Sequence, residues 1–100
     1  MTPRVTFHPL AEADLDSIDD FIVRDSPERT IAFVRRLQQH CQCLSQMPER
    51  GPRRDDLAAG LRALNFERRV VIIYRIEQRT VEILCILYAA QDFPAEWPDN

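Results

Sequence analysis

Asp14, Asp16, Asp19 and Asp20 lie close enough along the chain to form paired carboxylates, the arrangement used for general acid–base chemistry. Their spacing places them on the outward side of an amphipathic helix, where solvated charge is the default reading. The three cysteines, Cys41, Cys43 and Cys85, are an odd number and do not suggest a disulfide framework. Cys41-x-Cys43 has the spacing of neither a zinc knuckle nor a redox pair, and on a helix the two side chains point about 200° apart. His8 and His40 join them at no ligand spacing, no nucleophile lies at readable distance from either, and there is no glycine-rich phosphate loop. The thiols are expected as buried apolar groups, and neither a metal nor a cofactor is expected. Arginine remains. All 13 basic residues are Arg, and eight of them fall within residues 50–79. Planar guanidinium forks suit carboxylates and phosphates, which makes Arg53, Arg54, Arg62, Arg69 and Arg75 candidate binding residues. The alternative is a solvated, salt-bridged surface.

Composition limits what that basic segment can serve. Sixteen acids leave a net charge of −3, and residues 80–100 carry four acids and no Arg. A whole chain this acidic is a poor non-specific polyanion binder. With 100 residues, 45% of them hydrophobic and only two Gly, the sequence reads as one compact domain over residues 1–100, with residues 93–100 as a tail. The apolar runs are too short to cross a bilayer, and no signal-peptide core is visible near Met1. A soluble, cytoplasmic chain is expected.

The elements that must position these residues follow from periodicity. Thr2 to His8 alternates and predicts a short strand. Pro9 then starts a helix whose Ala11, Leu15, Ile18 and Ile22 share one face, ending near Asp25. Ser26-Pro27-Glu28 combines a side-chain cap, a proline in the first turn and an acid facing the helix dipole. Val34, Leu37, Cys41 and Leu44 make the second apolar stripe, with Phe33 and Met47 at its margin, and Pro48 and Gly51-Pro52 stop the helix. The period then changes to two. Leu61, Ala63 and Asn65 suggest a strand, as do Arg69 to Ile76, with Val70, Ile72, Tyr74 and Ile76 on one face. Thr80 to Tyr88 is almost continuously apolar and is expected to be a central strand covered on both faces. The expected class is α+β: β-α-α-β-β-β, a helical hairpin packed on one antiparallel sheet.

In this order the sequence resembles the RelE/ParE superfamily of toxins from type II toxin–antitoxin systems, and within it the ParE branch. The resemblance covers about residues 4–93. It rests on Ala13-Asp14-Leu15-x-x-Ile18 with Phe21-Ile22, Pro48-Glu49-Arg50-Gly51 with Arg54 and Asp56-Leu57, Gly60-Leu61-Arg62, Tyr74-Arg75-Ile76, and Val81-x-Ile83-Leu84-x-Ile86-Leu87 leading to Gln91-Asp92. RelE-type members cut messenger RNA on the ribosome and need several basic residues to do so. Against that pattern Arg62 stands where a first catalytic Lys is expected, but Leu64, Val71 and Gln91 stand where further basic residues belong. The resemblance therefore implies a ParE-type protein with no catalytic residues, one that inhibits DNA gyrase and is neutralised by a ParD-like antitoxin of the ribbon-helix-helix type. It also implies growth arrest, a role in plasmid stabilization, and contact with nucleic acid only through the antitoxin. The alternatives are a ribosome-dependent RNase built on Arg62, Arg69, Arg75 and Tyr88, and a non-toxic module that only binds its antitoxin. The expected partner-binding set is Arg53, Arg54, Arg62, Arg69 and Arg75 with Tyr88, Gln91 and Asp92, bordering a groove between the helical hairpin and the sheet.

Overall fold

Pro9 opens the first helix because its fixed φ suits the first turn and its missing donor leaves nothing unsatisfied there. The residue before it completes the cap. His8 Nδ1 accepts from Leu10 N at 3.1 Å, and its carbonyl accepts from Ala11 N and Glu12 N. The computed structural model describes residues 3–22, 27–67, 70–88 and Trp97. In chain order these form β1 (Arg4–Phe7), α1 (Pro9–Ile22), α2 (Pro27–Cys43), β2 (Leu61–Phe66), β3 (Val70–Glu77) and β4 (Thr80–Tyr88). The expected order β-α-α-β-β-β is the observed one. Ser26, the expected cap of α2, lies outside the described residues.

The sheet is four-stranded in the order β1-β4-β3-β2. The expectation of an antiparallel sheet holds for β2, β3 and β4 and is corrected at β1, which runs parallel to β4 from Arg4↔Thr80 to Phe7↔Ile83. The sheet is therefore mixed. β4 is central, as its apolar run predicted, and it carries a bulge. Ile73 pairs with Cys85 and Tyr74 with Ile83, so Leu84 has no partner on β3. The bulge turns Leu84 and Cys85 to the same face, which explains why the strand reads as nearly continuous apolar sequence.

Each face of the sheet has its own core. On one, Ala11 of α1, Phe33, Leu37 and Cys41 of α2, and Leu44 just after it cover Ile72, Tyr74, Val81, Ile83 and Ile86. The stripe on α2 is shifted from the expected one, with Phe33 buried and Val34 only partly so, and Met47, expected at its margin, lies beyond the helix and is 61% exposed. The opposite face gathers Leu61, Ala63, Ile73, Leu84, Cys85 and Leu87 beneath Leu57, Ala58 and Trp97. Two other expectations are corrected. Cys41 and Cys85 are buried as expected, but Cys43 is exposed. Asp14 does not point outward as Glu12 and Asp16 do, and the side chains of Asp19 and Asp20 lie outside the described residues. The Asp14 Oδ2 accepts from Ile86 N at 2.9 Å, an amide on β4 just past the last residue that β1 covers. No helix among the described residues is long and apolar enough to cross a membrane.

Candidate partner-binding site

Tyr74 lies in the middle of β3 with its side chain fully buried on the helix-covered face. Its hydroxyl accepts from Gly51 N at 2.9 Å and donates to Pro48 O at 2.8 Å, so the phenol serves two backbone groups of the loop after α2. Burial pushes the phenol above its ordinary range, and the Gly51 donor opposes this; the hydroxyl keeps the proton it donates. Arg62 is the cross-strand partner of Tyr74, and it reaches the same loop. Its Nη1 donates to Gly51 O at 2.9 Å and, more weakly, to Glu49 O at 3.4 Å. The loop continues as a short addition to the edge of β2, through Ala63 N to Pro52 O at 3.1 Å and Arg54 N to Leu61 O at 2.7 Å. Gly51 is needed for this fit: a Cβ there would stand 2.8 Å from both Ala63 O and the Tyr74 hydroxyl.

The expected arginines do not form one patch. Arg53 is engaged by Asp55 at 3.0 Å and Arg54 by Asp56 at 2.9 Å in a forked pair, both on the surface. Asp55 is held below the usual carboxylate range by Gly60 N and by Arg53, and Asp56 by Arg54. Arg62 serves loop carbonyls on the helix side of the sheet. Arg75 pairs across the sheet with Leu61, on the other side, where it meets Glu82 at 2.8 Å and Glu77 at 3.2 Å. Tyr88 is half-buried against Phe33, ring centroids 6.4 Å apart and nearly perpendicular. Arg62 and Arg75 therefore lie on opposite faces of the sheet, and a site that uses both is not assembled. Arg69, Gln91 and Asp92 lie outside the described residues.

A cleft lies elsewhere. About 660 Å³ opens between β1, α1 and α2, floored by Phe7 and Leu15 and walled by Gln38, Gln42 and Gln46, with Glu12 and Arg35 at its rim. None of its lining among the described residues comes from residues 50–79, so the described part of the Arg-rich segment does not border it as expected. Gln46 also lines a depression of about 380 Å³ formed with Met47, Pro48, Glu49 and Arg50, which joins the cleft to the latched loop. Sequence reading missed these residues, although Gln38, Gln42 and Gln46 recur every fourth position and so mark an uncharged polar stripe along α2.

Burial pushes the thiols of Cys41 and Cys85 to about 12, so neither is a thiolate nucleophile. His40 stacks on Phe66 at 4.9 Å with its Nε2 buried and unpartnered, and burial with the nearby Arg50 holds it below its ordinary range. No group of His, Cys, Asp and Glu suited to a metal ion occurs among the described residues. The candidate surface consists of the cleft with Arg35 and the adjoining depression with Arg50 beside the fixed loop.

Comparison with known proteins agrees with this fold. The family model described as the ParE toxin of the type II toxin–antitoxin system, parDE, matches residues 5–93, so the chain belongs to the ParE toxin family. It is the toxin component of such a system. Among solved structures it is similar to one of the chromosomal ParDE system from P. aeruginosa, with 27% identity, TM-score 0.76, and coverage of 88% of this chain and 97% of that one. A second similar chain comes from the toxin–antitoxin complex RelBE2 of Mycobacterium tuberculosis, with 25% identity, TM-score 0.64, and coverage of 91% and 95%. No curated protein matches the sequence.

Proposed function

We propose that this toxin arrests growth by binding DNA gyrase, without catalysis of its own, and that a ParD-like ribbon-helix-helix antitoxin neutralises it in the cytoplasm. The observation that carries this reading is the employment of Arg62. It is the one basic residue at the positions where RelE-type members carry theirs, and its guanidinium is committed to the carbonyls of Gly51 and Glu49. Leu64 and Val71 supply neither a proton nor a charge to a phosphoryl transition state. Arg75, on β3, is on the far face and neutralised by two glutamates.

The antitoxin is proposed to lay an amphipathic segment into the cleft between α1 and α2. Apolar anchors meet Phe7 and Leu15, and amide groups along Gln38, Gln42 and Gln46 meet its polar side. Such a segment folds as it binds, so apolar contact carries the affinity and charge pairs set register and association rate.

Expression of the toxin alone should stop growth and induce DNA-damage signalling, and the purified protein should inhibit supercoiling by gyrase while leaving ribosome-bound message uncut. Cleavage of that message at defined codons would overturn the reading in favour of a RelE-type ribonuclease. Neither effect, with antitoxin binding retained, would leave a non-toxic binding module.

A further inference from the structure

The loop after α2 is held from beneath while its outer surface is bare. Tyr74 and Arg62, two side chains projecting from neighbouring strands, together satisfy the backbone of Pro48, Glu49 and Gly51. The fit tolerates no side chain at Gly51. On the outer surface Met47 is 61% exposed, and Glu49 and Arg50 are exposed beside it. The Gly51 amide is buried, so Tyr74 satisfies a donor that water does not reach, and the loop is tied to the sheet rather than left to solvent. What the anchoring adds is one fixed conformation.

The place where it is fixed matters. The depression at Met47 and Arg50 shares Gln46 with the larger cleft, so the two adjoin at that residue. Arg35 at the cleft and Arg50 at its end have no carboxylate partner among the described residues, whereas Arg53 and Arg54 are each already taken by an aspartate. An incoming carboxylate therefore meets an open guanidinium at Arg50 and must displace an aspartate at Arg53 or Arg54.

We infer that Tyr74 and Arg62 are positioning residues for partner recognition, fixing the 48–51 loop so that Met47 and Arg50 form a preformed end-anchor for an acidic, amphipathic peptide segment lying in the α1–α2 cleft. The inference rests on the antitoxin reading above and reassigns Arg62 from a docking cation to a support. A loop that is already ordered loses no conformational freedom on binding, so its rigidity contributes directly to affinity.

The test uses the full chain and, as probe, a purified ParD-like ribbon-helix-helix antitoxin. Tyr74→Phe and Arg62→Gln should fold, lose hydrogen-exchange protection at the Gly51 amide, and bind the probe about tenfold more weakly. Their association rates should keep the wild-type dependence on ionic strength, since neither residue meets the partner's charge. Arg50→Gln should do the reverse, leaving Gly51 protected while flattening that dependence. Should Tyr74→Phe fail to fold, the half-buried Arg62→Gln carries the same comparison. Wild-type affinity in a variant that has lost Gly51 protection overturns the inference, as does an Arg62→Gln variant whose salt dependence flattens like that of Arg50→Gln. A wild-type chain that does not bind the probe overturns the antitoxin reading itself and the docking half of the inference with it.

Discussion

At Gly51 the chain has no room for a methyl group, because the nearest atoms, Ala63 O and the Tyr74 hydroxyl, would each lie 2.8 Å from it. One of those atoms is backbone in β2 and the other is fixed by two hydrogen bonds, so neither can give way easily. Gly51→Ala should cost about 1–3 kcal/mol, measurable as a lowered urea midpoint. His40 makes a prediction with a sign. Burial and the charge of Arg50 hold it below 6.5, against a weaker upward pull from Glu67, which is itself bound by Arg36. Its folded value is depressed, so as pH falls below about 6.5 the unfolded chain takes up a proton that the folded chain resists, and stability is lost. The urea midpoint of the wild type should drop more between about pH 7.5 and pH 5.5 than that of His40→Phe. Asp14 acts in the other direction at lower pH. Burial raises it above 3.8, opposed by the Ile86 amide, so the folded chain protonates first and this group favours the folded state as pH falls.

On α2, Leu37 and Cys41 are fully buried on the sheet while Ile31 is 60% exposed. Leu37→Ala should therefore cost about 2–5 kcal/mol, and Ile31→Ala less than about 0.5 kcal/mol, in denaturant unfolding. A similar loss at both positions would mean that the helix is rotated from its described orientation. This stripe was legible in the sequence to within one residue: Leu37, Cys41 and Leu44 carry the helical period, and only the exchange of Phe33 for Val34 needed the sheet beneath. Strand identity was legible for the same reason, because alternation records which side chains share a face. Direction was not. That β1 runs parallel to β4 is fixed by Arg4 meeting Thr80, and nothing in the alternation of either strand encodes a partner so distant in sequence. The inward turn of Asp14 was hidden likewise, since it answers an amide left open only because β1 stops at Phe7. At the candidate site the arginines were visible, but their neutralisation by Asp55, Asp56 and Glu82 depends on turns and cross-strand pairing.

The whole molecule is unequally covered. Two helices shield one face of the sheet, while on the other the packing above Leu84, Cys85 and Leu87 includes Leu57, Ala58 and Trp97. The sequence assigned Trp97 to a tail, yet it is a partly buried part of that packing. Trp97→Ala should lower stability by about 1–2 kcal/mol and open an apolar surface detectable as increased dye binding or self-association. Trp97 is also the only tryptophan, so its emission should shift to the red as that face opens. Strand order has a further consequence, one of timing. β4 joins β1 to the rest of the sheet, and during synthesis it is made after every other element. Until Tyr88 has left the ribosome, β1 has no strand to pair with, the buried side of β3 has no neighbour, and Asp14 has no amide to cap. A nascent toxin therefore stays unfinished for most of its translation, which gives a partner made alongside it time to be present when the cleft first takes shape.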